Sequence, residues 1–327
     1  MAKPKVFVTR IIRDKGLRIV QEFCEADIWT DELPPSREVL IEHVHGIEGL
    51  LCLLTDQIDG VVMDAAGGNL KVISNHAVGY DNIDVAAATA RRVPVGNTPG
   101  ILTDATADFA FALMMAAARR VVEGERFVHL GKWKTWGPSL LLGADFVGAT
   151  LGLIGFGRIG RAMANRASGF DLRVLYYDPN LAPAETRLNA TPVDLDTLLH
   201  QSDFVSLHTP LTRETYHLMN AENLAKMKPT AILINTARGP VVDPQALYHA
   251  LKTGQIFAAA LDVTEPEPLP MDSPLLELEN LIIVPHIASA SVQSRDNMAY
   301  LAAQNLVAGL RGERLPNCVN PAVYQQP

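Results

Sequence analysis

The amino-acid sequence predicts an α/β protein with two doubly wound, mostly parallel sheets. Short apolar runs alternate with segments of helical periodicity, as where Val6–Val8 is followed by a helical pattern over residues 15–24. This alternation indicates parallel strands joined by crossover helices. In the second half of the chain, several apolar runs end in clusters of polar residues, where a parallel sheet carries its ligand site.

Composition narrows the class of protein. With 327 residues, 48% of them hydrophobic and 20% charged, the chain is long enough for two domains with buried cores. A formal charge of -8 argues against nucleic acid or an anionic membrane as the main partner, and leaves a small anionic substrate open. The widely spaced Cys24, Cys52 and Cys318 fit neither a disulfide framework nor a Cys-x-x-Cys metal site. We therefore expect the protein to be located in a reducing cytoplasm. We see no secretory signal pattern, and the most apolar window, residues 105–118, is too short to span a bilayer.

The first hundred residues supply the elements of one domain. Helices are predicted over residues 15–24 and from an N-cap at Ser36 to His43. Strands are predicted at 6–8, 26–29, 50–54, 70–74 and 93–95. Thr103 and Asp104 can cap a long helix that runs to about Glu123, followed by an irregular connection rich in Trp and Gly.

A second set of strands follows, with a further helix over residues 291–310. These strands are predicted at 150–154, 173–177, 204–207, 231–235, 257–262 and 281–284. Because helices flank this set on both sides, we expect one domain inserted into the other. The outer, substrate-binding domain would be 1–100 plus 290–327 and the inner domain 101–289, with an active-site cleft between them.

A glycine-rich turn follows the first strand of the inner domain. The run 150–154 leads into Gly155-Phe-Gly157-Arg158-Ile159-Gly160 and then a helical pattern, and the next strand ends at Asp178. Gly155 permits a tight turn, Gly157 lets the backbone approach a pyrophosphate, and Gly160 allows close packing of helix on strand. The helix N-terminus offers N–H groups to phosphates, and Asp178 can accept hydrogen bonds from a ribose diol. This sequence predicts a Rossmann-type dinucleotide site.

Four other predicted strands end in polar residues that would face such a cofactor. These segments begin at His208, Asn235, Asp262 and Pro285. Together with the glycine-rich turn, they resemble the D-isomer-specific 2-hydroxyacid dehydrogenases, most closely the glyoxylate/hydroxypyruvate reductase branch. The resemblance covers nearly the whole chain and is carried by 76–84, 155–160, 209–212, 235–239, 261–268 and 285–289.

The resemblance implies that Arg238, Glu267 and His286 are the catalytic residues. Reduction of a 2-oxo acid needs a hydride donor, a carboxylate anchor and an acid that protonates the developing alkoxide. Arg238 can hold the carboxylate and carbonyl with its planar fork, and His286 is the proton donor. Glu267 would hydrogen-bond the other imidazole nitrogen and favour the protonated ring. Glu265 competes with Glu267 for this role. The resemblance favours Glu267, because its separation from Arg238 along the sequence matches the family.

Further site residues follow from the resemblance. Val78 and Gly79 would offer backbone N–H groups to the substrate carboxylate, and Trp136 would close the substrate pocket. The cofactor would be lined by Thr106, Thr209, Pro210, Ala237 and Asp262, in addition to Gly155, Gly157, Arg158, Ile159, Gly160 and Asp178. The apolar helix from Thr103 and the arm after it imply a homodimer. No metal is expected, since His43, His45 and His76 lie on different elements with no carboxylate or thiolate to complete a site.

The same comparison bears on substrate and cofactor. A carboxylate at Asp178 repels a 2′-phosphate, so we expect NAD(H) to be preferred over NADP(H). Glu267 stands where formate dehydrogenases have Gln, and Val78 where phosphite dehydrogenases have Lys, which argues against both substrates. Two alternatives remain: a general D-2-hydroxyacid or D-lactate dehydrogenase, and a dinucleotide-sensing binding protein like the C-terminal-binding corepressors of the same fold.

Overall fold

The computed structural model describes residues 2–180 and 189–325, which form two compact α/β units. One unit contains the residues up to Leu102 together with those from Ala290 onward, and the other runs from Thr103 to Ser289. Each is built on one parallel sheet, so the predicted fold class of two parallel-sheet domains is confirmed. No helix among the described residues is long and apolar enough to cross a membrane.

The first unit is a five-stranded sheet with helices on both faces. Its strands are β1 (Lys5–Val8), β2 (Glu25–Ile28), β3 (Gly49–Cys52), β4 (Val72–Asn75) and β5 (Val95–Gly96), in the order β2-β1-β3-β4-β5. Its helices are α1 (Asp14–Phe23), α2 (Arg37–His43), α3 (Gly60–Ala66), α4 (Val85–Ala90) and, from the end of the chain, α11 (Val292–Leu310). The central strands β3 and β4 are buried along their full length, as expected for strands covered on both faces.

The second unit is a seven-stranded parallel sheet. Its strands are β6 (Thr150–Ile154), β7 (Arg173–Tyr177), β8 (Ala190–Pro192), β9 (Phe204–Leu207), β10 (Ile232–Asn235), β11 (Ala258–Leu261) and β12 (Leu281–Ile283), in the order β12-β11-β10-β9-β6-β7-β8. Its helices are α5 (Thr103–Ala118), α6 (Val121–His129), α7 (Arg158–Ala167), α8 (Leu195–Gln201), α9 (Ala221–Ala225) and α10 (Pro244–Lys252). Strand order reverses between β6 and β9, which makes that point the expected position of a ligand.

The long helix predicted from Thr103 ends earlier than expected. Helix α5 stops at Ala118, and α6 begins only after Arg120, whose backbone adopts the left-handed conformation with φ of 52°. The carbonyl of Ala118 accepts a hydrogen bond from the N–H of Ala144 at 2.8 Å, and Gly143 packs so closely that a Cβ there would collide with that carbonyl. This returning segment occupies the position of the next helical turn, so the prediction of one helix to about Glu123 is wrong.

Candidate active site

Six neighbouring strands of the second sheet end on one line. The register pairs Tyr177 with Ile154, Ile154 with Leu207, Leu207 with Asn235, and then Asn235 with Leu261 and Leu261 with Ile283. Each of these is the last residue of its strand. The polar segments that follow the strands therefore leave the sheet along one edge.

The glycine-rich turn lies at the point where the strand order reverses. Gly155 has φ of 89°, and a Cβ there would collide with the backbone of His208 and Thr209. Gly160 lies so close to the carbonyl of Gly155 that a Cβ would also collide, whereas a Cβ at Gly157 would meet no atom within 4 Å. The turn is thus tight at both ends and open in front of Gly157, which is exposed at the N-cap of α7. Open space at a helix N-terminus suits a pyrophosphate.

Asp178 lies beside this turn at the end of β7. Its Oδ2 atom accepts a hydrogen bond from the N–H of Phe156 at 2.9 Å, and its Oδ1 atom accepts one from Asn180 at 3.0 Å. The carboxylate is therefore fixed against the glycine-rich turn while remaining only half-buried. Open space at Gly157 and an acid held at the end of the next strand are features that suit a dinucleotide.

His286 and Glu267 form a hydrogen-bonded pair. The distance from Nδ1 of His286 to Oε1 of Glu267 is 2.6 Å, and both side chains keep partial solvent exposure. His286 has φ of 55°, a conformation that is strained for a residue with a side chain. Such strain persists only where neighbouring contacts enforce it, and it concentrates at functional sites.

Asp262 supplies the contacts that enforce this turn. Its carboxylate oxygens accept hydrogen bonds from the N–H groups of Ile287 at 2.6 Å and Ala288 at 2.8 Å. The carbonyl of Asp262 accepts a third from the N–H of His286 at 2.9 Å. Burial raises the pKa of the Asp262 carboxyl, against the effect of these backbone donors. Sequence reasoning placed Asp262 at the cofactor and missed its contacts with the backbone that carries His286.

Arg238 lies in a turn that packs against the loop carrying Glu267. The side chain of Asn235 braces the turn: its Nδ2 atom donates to the carbonyl of Arg238 at 2.8 Å, and its Oδ1 atom accepts from Ala237 at 3.0 Å. A Cβ on Gly239 would collide with the carbonyl of Thr264. The arginine turn and the Thr264–Pro268 loop are therefore in direct backbone contact. Asn235 is fully buried at a strand end, and that was the signal that could have identified it as a brace.

Glu265, the competitor of Glu267, has a different partner. Its Oε2 atom lies 2.6 Å from Nε2 of His217, and its Oε1 atom accepts a hydrogen bond from Tyr216 at 3.4 Å. The rings of Tyr216 and His217 are stacked. The two glutamates of one loop thus point to two different histidines, and only Glu267 contacts His286.

Five of the other expected cofactor residues follow strands that end on this edge. Thr209 and Pro210 follow β9, Ala237 is half-buried after β10, and Arg158 and Ile159 form the first turn of α7. Thr106 is buried in the first turns of α5. Burial lowers the pKa of the neighbouring His208 imidazole to about 4, so this ring is neutral at pH 7.

The residues expected to bind or cover the substrate lie outside this edge of the second sheet. Val78 and Gly79 follow β4 in the first unit, and Trp136 is 79% exposed in the segment after α6. His43 pairs with Asp27 and stacks on Phe7, and in residues 2–180 and 189–325 no cluster of potential metal ligands occurs.

Comparison with known proteins identifies the family. Residues 111–288 match the model of the D-isomer specific 2-hydroxyacid dehydrogenase, NAD binding domain. The glyoxylate reductase of Korarchaeum cryptofilum is 56% identical over 325 residues, which cover 99% of this chain and 98% of the relative. The chain belongs to the D-isomer-specific 2-hydroxyacid dehydrogenase family. The resemblance predicted from the sequence is thus confirmed, and it makes the chain a dehydrogenase that uses a nicotinamide dinucleotide.

Solved structures agree with this assignment. The TT0316 protein of Thermus thermophilus is 47% identical and matches with a TM-score of 0.91, covering 96% of this chain and 99% of that one. An NADPH-dependent glyoxylate/hydroxypyruvate reductase of Sinorhizobium meliloti, solved with NADP and malonate, is 30% identical with a TM-score of 0.88. That match covers 100% of this chain and 99% of the other.

Proposed function

We propose that this dehydrogenase reduces glyoxylate and hydroxypyruvate to glycolate and D-glycerate, with NADH as cofactor. The observation that carries the proposal is the His286–Glu267 pair, 2.6 Å apart, at the same sheet edge as the glycine-rich turn and Arg238. Relatives about half identical over their full length are named glyoxylate reductases, which supports this substrate class.

Each catalytic residue has one task in this proposal. NADH, when bound, supplies the hydride to the carbonyl carbon. Arg238 binds the substrate carboxylate and carbonyl through its planar guanidinium and so fixes the carbonyl carbon in place. Glu267 accepts a hydrogen bond from Nδ1 of His286, which leaves Nε2 to donate a proton to the developing alkoxide. In the reverse direction the neutral ring accepts that proton.

The preference for NADH rests on Asp178. Its carboxylate is held at the end of β7 by the N–H groups of Phe156 and Asn180, so it cannot turn away without losing both hydrogen bonds. A fixed negative charge beside the ribose repels a 2′-phosphate and accepts hydrogen bonds from a 2′-hydroxyl. One solved relative is named NADPH-dependent, so membership of the family does not by itself decide the cofactor, and this part of the proposal rests on Asp178.

The first test follows NADH consumption with glyoxylate, hydroxypyruvate and pyruvate in parallel. We expect the first two to be the best substrates, and Arg238→Ala to lower kcat/KM by roughly 10³-fold, since both the anchor and its charge are lost. Arg238→Lys keeps the charge without the fork, and a loss nearly as large would show that geometry matters. Preference for pyruvate or a bulkier acid would contradict the proposed substrate. Tight NADH binding without turnover would favour a sensor.

A second test addresses the cofactor. We expect kcat/KM with NADH to exceed that with NADPH by at least about tenfold, and Asp178→Asn to reduce this ratio by roughly tenfold. Asparagine keeps one oxygen to accept from Phe156, and it loses the charge together with the hydrogen bond from Asn180. A higher kcat/KM with NADPH in the wild-type protein would contradict the proposal.

A further inference from the structure

Three consecutive peptide carbonyls after β4 are held by hydrogen bonds from their own unit. The carbonyl of Ala77 accepts from the N–H of Thr98 at 2.9 Å. The carbonyl of Val78 accepts from Nδ2 of Asn97 at 2.8 Å, and that of Gly79 accepts from Nδ2 of Asn75 at 2.8 Å. Both amide side chains thus act on the backbone of one short loop.

Holding these carbonyls fixes where the next N–H groups point. In a trans peptide the C=O and the following N–H are antiparallel, so each held carbonyl turns the N–H of Val78, Gly79 or Tyr80 to the opposite side. Across the described part of the chain, none of these three N–H groups donates to a protein acceptor. Three neighbouring donors without protein partners are available to bind one anion.

We propose that Asn75 and Asn97 are positioning residues that orient this loop for the substrate carboxylate. The inference rests on the proposed function and on the role that the family resemblance implies for Val78 and Gly79, whose N–H groups would bind that carboxylate together with Arg238. Neither amide needs to touch the substrate. Each restricts a peptide plane, so that the donors are already aligned when the anion binds and less conformational entropy is lost.

The orientation of Asn75 is itself determined. Asn82 donates from Nδ2 to the carbonyls of Leu53 and Asp56, both at 3.0 Å, so its Oδ1 faces away from them. That oxygen accepts from Nδ2 of Asn75 at 3.2 Å. A flipped Asn75 would place oxygen against two oxygens inside the core, where both asparagines are buried. The side-chain amides of Asn82 and Asn75 can therefore be oriented in only one way, with Nδ2 of Asn75 donating to the carbonyl of Gly79.

Asn97 is held from the other side. Its backbone carbonyl accepts from Nδ2 of Asn305 at 2.9 Å, and Asn305 is fully buried on α11. The Oδ1 atom of Asn305 in turn accepts from the N–H of Asn317 at 3.1 Å, so its amide is also oriented. Asn97 itself is only half-buried, which makes it the better position for substitution.

The test compares Asn97→Ala and Asn97→Asp with the wild-type protein. Asn97→Asp keeps the shape but replaces the donor with an oxygen that faces the Val78 carbonyl. We expect both variants to raise the KM for glyoxylate and the Kd for oxalate by roughly tenfold. The kcat should change by less than about threefold, and the Kd for NADH by less than about twofold, because the loop binds only the carboxylate.

The control is Asn320→Ala. Asn320 is a buried asparagine of the same unit whose amide donates to the carbonyl of Val93 and not to the loop. It should lower Tm without changing the oxalate Kd. Asn75→Asp is a second variant, with the same expected shift if it folds.

Oxalate separates this inference from the proposed function because it binds without being reduced. If the wild-type protein binds oxalate but reduces no 2-oxo acid, the proposed function fails and the oxalate Kd of the Asn97 variants still decides the role of the amide. An unchanged oxalate Kd in both variants would overturn the inference, as would a wild-type protein with no affinity for oxalate.

Discussion

At the residue scale, the two glutamates of the Thr264–Pro268 loop make similar contacts with two different histidines. Glu267 contacts His286 at 2.6 Å, and Glu265 contacts His217 at the same distance. Both pairs have similar chemistry and exposure. Only the position of His286, at the end of β12, makes its partner a candidate for the reaction.

This difference gives a matched pair of variants. Glu267→Gln keeps an acceptor or donor for His286 but removes the charge that stabilises the imidazolium, so kcat/KM for glyoxylate should fall roughly 10²-fold. Glu265→Gln removes the same charge from the neighbouring pair, and kcat/KM should fall by less than about tenfold while Tm decreases. Steady-state kinetics and thermal unfolding measure both effects. A larger kinetic loss in Glu265→Gln would reverse the assignment of the two residues.

The residue types of the site could be predicted from the sequence, but most of their supports could not. Asp262 was expected at the cofactor, yet its carboxylate also holds the backbone that follows His286. Asn235, Asn75 and Asn97 brace turns through backbone atoms, and such contacts depend on turn geometry that is not visible in residue spacing. The signal that the sequence offers is an asparagine at the end of an apolar run that predicts a buried strand, as for Asn75 and Asn235.

At the element scale, the turn from β6 to α7 assigns different roles to its glycines. Gly160 packs against the carbonyl of Gly155, whereas nothing lies within 4 Å of the Cβ position of Gly157. The φ of Gly157 is -71°, outside the left-handed region that favours glycine. Gly160 is therefore required by the packing of the fold. Gly157 is not, and the open space in front of it is available to a ligand.

Alanine at these two positions should produce opposite results. Gly157→Ala should leave Tm within about 2 °C of wild type and raise the Kd for NADH at least about tenfold, because the methyl group occupies space for the pyrophosphate. Gly160→Ala should lower Tm by several degrees, since helix and turn must separate. Differential scanning calorimetry and NADH fluorescence titration check both. Tight NADH binding by folded Gly157→Ala would show that the cofactor does not approach this residue.

Several strands were predicted more closely than helix α5, for a physical reason. The runs 150–154, 173–177 and 204–207 match β6, β7 and β9 residue for residue, because a strand buried on both faces is a short apolar run with clear ends. Helix α5 carries apolar residues on all sides, so its own sequence contains no stop signal near Ala118. It ends where Gly143 and Ala144, distant in sequence, pack against the carbonyl of Ala118, which accepts a hydrogen bond from Ala144.

At the scale of the whole molecule, the first unit should be sensitive to acid through His76. Burial first, and then the facing charge of Arg295, lower the pKa of this ring from 6.5 to about 4, against a backbone hydrogen bond of Arg295 that raises it. The unfolded chain therefore binds a proton between these values while the native unit does not. The contribution of the neutral, buried His76 ring to the free energy of unfolding is complete above pH 6.5 and is lost as pH falls towards 4. It amounts to roughly 3 kcal/mol.

Substitution of His76 should remove this part of the pH dependence. In His76→Gln, the decrease in Tm between pH 7 and pH 4.5 should be smaller than in the wild-type protein, since no buried ring has to be protonated. His200→Gln, which changes an exposed histidine, should follow the wild-type curve. Parallel curves for wild type and His76→Gln would mean that the ring titrates normally in the native state.

The exposed apolar segment after α5 points to an assembly of two chains. Helix α6 has no buried residue, and apolar side chains continue through the segment that follows, with Trp136 79% and Val147 83% exposed. So many exposed apolar side chains in one segment are uncommon on a monomer, and closed two-fold dimers are the commonest way to cover them. We therefore expect a homodimer formed through residues 121–147.

The mass in solution decides this expectation. Light scattering at micromolar concentration should give twice the 35.5 kDa of one chain. The double variant Leu130→Glu with Trp136→Glu should give the mass of one chain, because two charges per subunit cannot be buried in an apolar interface without partners. Met271→Glu places the same charge on a residue that is 89% exposed outside this segment, and it should leave the mass unchanged. A wild-type monomer would show that these side chains remain in contact with water, and a dimer that survives the double variant would place the interface elsewhere.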